Sequence, residues 1–99
     1  MVPVYRFWSN ASSSHFYTVR EDEKNKLIDS FSDTWTYEGV AFYAYAPGSQ
    51  PDDSDPVYRF WKRSDNSYFY TIDPDEKDKL IKKSSGLYTF EGIAFYAWR

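Results

Sequence analysis

The stretch Val4-Tyr-Arg-Phe-Trp8 (VYRFW) returns unchanged at Val57–Trp61, and this recurrence decides the fold. Around it the two halves of the chain align without a gap at one constant shift. Pro3 falls on Pro56, Phe16-Tyr17-Thr18 on Phe69-Tyr70-Thr71, and Leu27-Ile28 on Leu80-Ile81. Glu38-Gly39 falls on Glu91-Gly92, and Ala41-Phe42-Tyr43-Ala44 on Ala94-Phe95-Tyr96-Ala97. Roughly half of the paired positions are identical, a self-similarity that has to be read before any local pattern. The expected organisation is one domain, 1–99, made of repeat one (3–46), a linker (47–55) and repeat two (56–99). A unit of about 43 residues lies near the lower size at which a chain folds alone, so the repeats are expected to share a core or an interface. The first repeat starts almost at Met1 and the second ends at Arg99, as an excised module with an added methionine would.

Each unit reads as strand, strand, helix, strand, strand. Along VYRFW the period of two puts Val4, Arg6 and Trp8 on one face and Tyr5 and Phe7 on the other. The polar stretch Ser9–Ser14, and Lys62–Ser67 in the second copy, is a turn. His15–Thr18 and Tyr68–Thr71 then complete a hairpin. Asp73-Pro74-Asp75-Glu76 opens a helix with a capping residue, a proline at the first helical position and a glutamate at the third. The first copy has Arg20 at the cap position, a weaker start unless Thr18 and Glu21 form the box one turn earlier. Beyond the helix, Thr36–Tyr45 reads as strand, tight turn or bulge, and strand. Gly39 and Gly92 occupy the position that calls for positive φ. The resulting fold class is α+β: two pseudo-symmetric ββαββ-type repeats related by an approximate two-fold, with antiparallel sheets and a short helix per repeat.

Composition narrows the function classes. The 99 residues carry a net charge of −3, which argues against general nucleic-acid binding through phosphate neutralisation. No apolar run is long enough to cross a membrane as a helix. Cysteine is absent, which removes disulfides, cysteine-based zinc sites and thiol nucleophiles together. Aromatic residues make up 22% of the chain. Phe7, Phe16, Phe42, Phe60, Phe69 and Phe95 are expected to fill the core. A small interior cannot hold every ring as well, and tyrosine and tryptophan favour places where one end stays wet.

Catalysis is not expected. His15 is the only histidine, its partner position holds Tyr68, and no Gly-x-Ser-x-Gly elbow is present. Glu38 and Glu91 are repeat equivalents, whereas an acid and a base need environments that push their pKa values apart. His15 has no carboxylates spaced for a metal site. The aspartates of Pro47–Pro56 lack the glycine and closing glutamate of a calcium loop. No cofactor is implied. Arg6 and Glu38 recur as Arg59 and Glu91, so each arginine is expected to pair with its glutamate, within a unit or across units. Whether the pair only locks strands or also meets a ligand is open at this point. The remaining rings suit sugars, whose C–H faces pack on aromatics while their hydroxyls need polar partners. The candidate ligand-binding residues are Arg6, Trp8, His15, Tyr17, Trp35, Glu38 and Tyr43, with Arg59, Trp61, Tyr68, Tyr70, Tyr88, Glu91 and Tyr96 in the second copy.

In the order PVYRFW, HFYT, DEK, LI and YEGVAFYA, and twice over nearly the whole chain, the sequence resembles an aromatic-rich tandem repeat. That family is catalogued as a domain of unknown function and found in secreted bacterial and fungal proteins and some phage lysins. Its repeats are commonly appended to peptidases, glycosidases and cell-wall lytic enzymes. The resemblance implies a non-catalytic, extracellular module at the cell wall that binds cell-wall or other surface polysaccharide and targets an attached catalytic domain. A protein-interaction or adhesin module using the same aromatic patches is the alternative. The chain departs from the repeat's pattern at Tyr68, where histidine is usual, and at Tyr88, where tryptophan is usual, so the two copies are not expected to bind equally.

Overall fold

The computed structural model describes residues 1–84 and 86–98. Arg99, the last residue assigned to repeat two, lies outside the described residues. Repeat one contains β1 (Val2–Ser9), β2 (Ser14–Thr18), α1 (Glu21–Ser30) and β3 (Thr36–Ala44). Repeat two contains β4 (Asp55–Lys62), β5 (Ser67–Thr71), α2 (Pro74–Lys83) and β6 (Tyr88–Ala97). The strands form two antiparallel three-stranded sheets, ordered β2-β1-β3 and β5-β4-β6. The α+β class with two similar halves and one short helix in each is therefore as expected. The two strands expected around each of Gly39 and Gly92 are one continuous bulged strand.

The bulges follow from the glycines and decide where a key carboxylate points. Opposite β1, Arg6 pairs with Gly39 and Phe7 with Tyr37, so Glu38 is the extra residue. An extra residue bends a strand and re-aims its side chain. Gly39 and Gly92 sit at φ +94° and +93°, and a Cβ at either would meet nothing within 4 Å. Backbone conformation alone thus demands glycine there. Gly39→Ala is expected to cost about 1–2 kcal/mol of stability through strain at positive φ. A urea titration checks this, and an unchanged midpoint would show that the bulge relaxes freely.

The helix starts differ as the sequence suggests. The Asp73 side chain accepts a hydrogen bond from the Asp75 amide, with Pro74 in the first helical turn. Arg20 makes no side-chain cap bond. Thr18 accepts instead from the Arg20 amide at 3.0 Å, and Thr71 from the Asp73 amide at 3.0 Å. The threonines therefore build the same tight turn ahead of both helices.

One core lies under α1, where Phe7, Phe16 and Trp35 are buried with Tyr5, Leu27 and Tyr68 packed on them. A second core is shared by the halves, joining Val4 and Ala44 of repeat one to Val57 and Phe95 of repeat two. The linker leads away from a two-residue bridge in which Tyr45 and Tyr96 exchange both backbone hydrogen bonds, at 3.0 and 2.8 Å. Equivalent residues meet where the halves join, as an approximate two-fold would have it: Tyr17 packs edge-on against Tyr70 at 5.3 Å, Phe42 against Phe95 at 5.6 Å and Tyr45 against Trp98 at 5.2 Å; away from these contacts the halves differ. Tyr68 of repeat two packs edge-on against Phe16 of repeat one at 4.8 Å. A two-fold would set His15 against Phe69 in the same way, but His15 packs within its own repeat, on Trp8 at 4.8 Å and Tyr17 at 5.9 Å. Of the phenylalanines expected in the core, Phe7, Phe16, Phe60 and Phe95 are buried. Phe42 is exposed, although one edge of its ring meets Phe95 of the other repeat, and Phe69 is only half-buried.

Candidate functional site

On repeat one, the open face of the sheet carries a row built by strand register. Arg6 stands opposite Tyr17 and Trp8 opposite His15, so all four side chains share a face. The bulge delivers Glu38 to it: Glu38 Oε1 lies 2.9 Å from Arg6 Nε and 3.2 Å from His15 Nε2. The Arg6 Nε contact is an ion pair without the alignment of a hydrogen bond, and this nitrogen is buried without a hydrogen-bond partner. The Trp8 indole N–H donates to Asn10 Oδ1 at 2.6 Å. In repeat two Trp61 donates to Asn66 Oδ1 at 2.8 Å. The tryptophans expected to be free for ligand are thus half-buried and clamped by asparagines of their own hairpin turns.

The equivalent face of repeat two is used differently. Arg59 Nε donates to Glu91 Oε1 at 2.8 Å, and its Nη1 reaches across the junction to Glu23 Oε1 of α1 at 3.4 Å. The guanidinium also lies over the ring of Phe16 at 5.0 Å and that of Tyr68 at 5.8 Å. Burial works against the Arg59 charge, but Tyr70 and the two carboxylates outweigh it and hold the pKa above its ordinary value. The Tyr70 hydroxyl accepts from the Tyr17 amide at 2.8 Å and donates to the Tyr17 carbonyl at 3.0 Å. Burial pushes the Tyr70 pKa well above the tyrosine range, against the pull of that backbone hydrogen bond. Tyr68 is raised too, first by burial and then by Glu91. The recurring arginine–glutamate pairs are therefore real within each unit, and Arg59 additionally spans the two.

Beside this junction lies a groove of about 400 Å³. Phe16, Leu27, Phe31, Trp35 and Tyr68 supply its apolar walls, and Glu23, Lys26, Thr34 and Asn66 its polar groups. Trp35 is nearly buried, at 6% exposure, and offers the groove only part of its ring. Phe31, which ends α1, is 44% exposed at the rim. Apolar walls with a few converging polar groups are the usual character of small-ligand sites.

The structure brings together Arg6, Trp8, His15, Tyr17 and Glu38 on one face, and Arg59, Tyr68, Tyr70 and Glu91 at the junction. It does not bring the rest to those places. Trp35 lies under α1, and Tyr88 packs near Phe60 and Phe69 at 6.4 and 6.3 Å. Tyr43 is exposed toward the outer end of β3, and the Tyr96 backbone is bound to Tyr45. Of the predicted ligand residues only Trp35 and Tyr68 line the groove. Phe31, Lys26, Glu23, Thr34 and Asn66 were not predicted. A weak signal for some of them was available: Phe31 faces Ser84, Thr34 faces Leu87 and Asn66 faces Ser13 in the repeat alignment, so these positions are among the many where the two copies differ. Among the described residues no group of three or more His, Asp or Glu side chains is placed to hold a metal ion. No described helix is long and apolar enough to cross a membrane.

Residues 1–98 match the model of a family described as Domain of unknown function (DUF5648). No curated protein and no solved structure matches the chain.

Proposed function

Since the chain belongs to DUF5648, a domain of unknown function, we propose its role from its own surface: a non-catalytic module that binds cell-wall or other surface polysaccharide. The observation that carries this reading is the groove between the repeats. Phe31 and Tyr68, with the exposed part of Trp35, supply apolar surface for sugar rings, and Glu23, Lys26, Thr34 and Asn66 line the same groove with polar groups. Its volume of about 400 Å³ suits a few sugar residues and not a single atom or ion. The resemblance to repeats appended to wall-lytic enzymes supports the rest of the proposal: an extracellular module that holds an attached hydrolase at its substrate.

Trp35 lines the groove and is its natural reporter. Titration with purified wall polysaccharide is expected to change tryptophan fluorescence. Phe31→Ala and Lys26→Ala, both on exposed positions, are expected to weaken binding roughly tenfold or more by removing stacking and a hydrogen-bond donor. A flat titration would refute the polysaccharide reading. Binding that ignores both substitutions would place the site elsewhere. Binding to wall proteins, lost when the polysaccharide is purified, would favour the adhesin alternative.

A further inference from the structure

The polar groups of the groove are more selective than its apolar walls. Asn66 lies in the turn between β4 and β5 with a left-handed backbone, at φ +56°. Its Oδ1 accepts from the Trp61 indole at 2.8 Å. An indole can only donate, so the held end of the amide is the oxygen and the free end is the nitrogen. Asn66 lines the groove, which thereby gains an amide donor fixed from behind. Lys26 adds a second donor from α1. The described lysines that form ion pairs are Lys62 and Lys77, not Lys26. Glu23 supplies an acceptor: its Oε1 is engaged by Arg59 at 3.4 Å, and its Oε2 makes no hydrogen bond among the described residues.

The charges that line or brace the groove cancel, with Glu23 and Glu91 set against Arg59 and Lys26. A charged sugar unbalances this set whichever sign it carries. A plain hydroxyl satisfies the polar groups but leaves the apolar wall of Leu27 and Phe31 bare. An acetamido group meets all of them: its carbonyl accepts from Asn66 and Lys26, its N–H donates to Glu23, and its methyl lies against the apolar wall. We infer that the groove selects sugars bearing an N-acetylated amine, with Asn66 as the residue that sets the preference. The inference rests on the polysaccharide reading and narrows it to polymers of N-acetylhexosamine.

Tetramers of glucose, glucosamine and N-acetylglucosamine in the same β linkage differ at one ring carbon, which carries a hydroxyl, an amine or an acetamido group. Each is titrated against the whole chain with tryptophan fluorescence as the readout, Trp35 being part of the groove wall. The N-acetylated tetramer is expected to bind about tenfold tighter than the other two. Asn66→Asp keeps an oxygen for the Trp61 indole and tolerates the left-handed backbone, but it has no amide donor. It is expected to melt as the wild type does and to lose the preference. Asn10→Asp adds the same charge to the other hairpin turn, away from the groove, and is expected to keep it. Equal binding of the three tetramers overturns the inference and leaves the polysaccharide reading in place. A preference that survives Asn66→Asp, or that both variants lose alike, overturns the assignment to Asn66. Silence toward all three tetramers overturns the inference too, and takes the reading with it only if purified wall polysaccharide is also ignored.

Discussion

Arg59→Ala is expected to destabilise the fold by about 3 kcal/mol, whereas the equivalent Arg6→Ala costs less than about 1 kcal/mol. The residues occupy matching positions in matching strands, so sequence offers no reason for a difference. The structure does. Among the described residues Arg59 is the only cation bridging Glu91 and Glu23; it lies over two rings, and little of it is exposed. Removing it leaves two half-buried carboxylates facing one another across the joint, an uncompensated pair that costs far more than a surface bridge is worth. Arg6 meets one carboxylate on an open face, where water screens the loss. Paired denaturant titrations of the two variants decide the matter, and equal costs would refute the bridging role of Arg59.

Tyr70→Phe is expected to cost about 1–3 kcal/mol, because a single hydroxyl satisfies both the amide and the carbonyl of Tyr17 and its loss strands them at the joint. The variant keeps the ring, so packing against Tyr17 and Phe95 is retained and the loss reads the hydrogen bonds alone. The same group sets an alkaline limit. Its folded pKa lies above the ordinary tyrosine value of 10.0, so the unfolded chain loses this proton first as pH rises. The associated stability is fully present below about pH 10 and declines as pH climbs toward the folded pKa. Tyr68, raised in the same direction, adds to the slope. Denaturant midpoints followed upward from pH 8 are expected to fall in the wild type and to fall less steeply in Tyr70→Phe. A slope unaltered by the substitution would assign the alkaline loss to other tyrosines.

What the sequence makes legible is local. The period of two in VYRFW puts Arg6 and Trp8 beside Tyr17 and His15, the glycine after Glu38 announces positive φ, and Asp73-Pro74 announces a helix start. These features follow from sterics within a few residues. The pairing of Arg6 with Glu38 is also legible, because both recur together. The contacts that differ between the repeats are not, because the two units share one pattern, and pattern cannot say which copy of a side chain is covered. That choice buries Phe95 and exposes Phe42, makes Arg59 a bridge and leaves Arg6 at the rim. It also creates the groove, whose walls come from β2, α1 and the segment after it, and from the turn and start of β5 in the other repeat. Trp8 and Trp61 illustrate a second limit. Their indoles are held by Asn10 and Asn66, which occupy different positions of the two turns, so no repeated motif advertises the clamp.

The Tyr70 hydroxyl has one more effect. β2 is the outermost strand of its sheet, and outermost strands invite foreign chains to pair with them. By capping both polar groups of Tyr17, a side chain from the neighbouring repeat plugs the middle of that border and denies an incoming strand its central rung. Protection against fibril-type stacking is thus written into the same atom pair that fastens the repeats, and a chain whose halves have parted would expose that border.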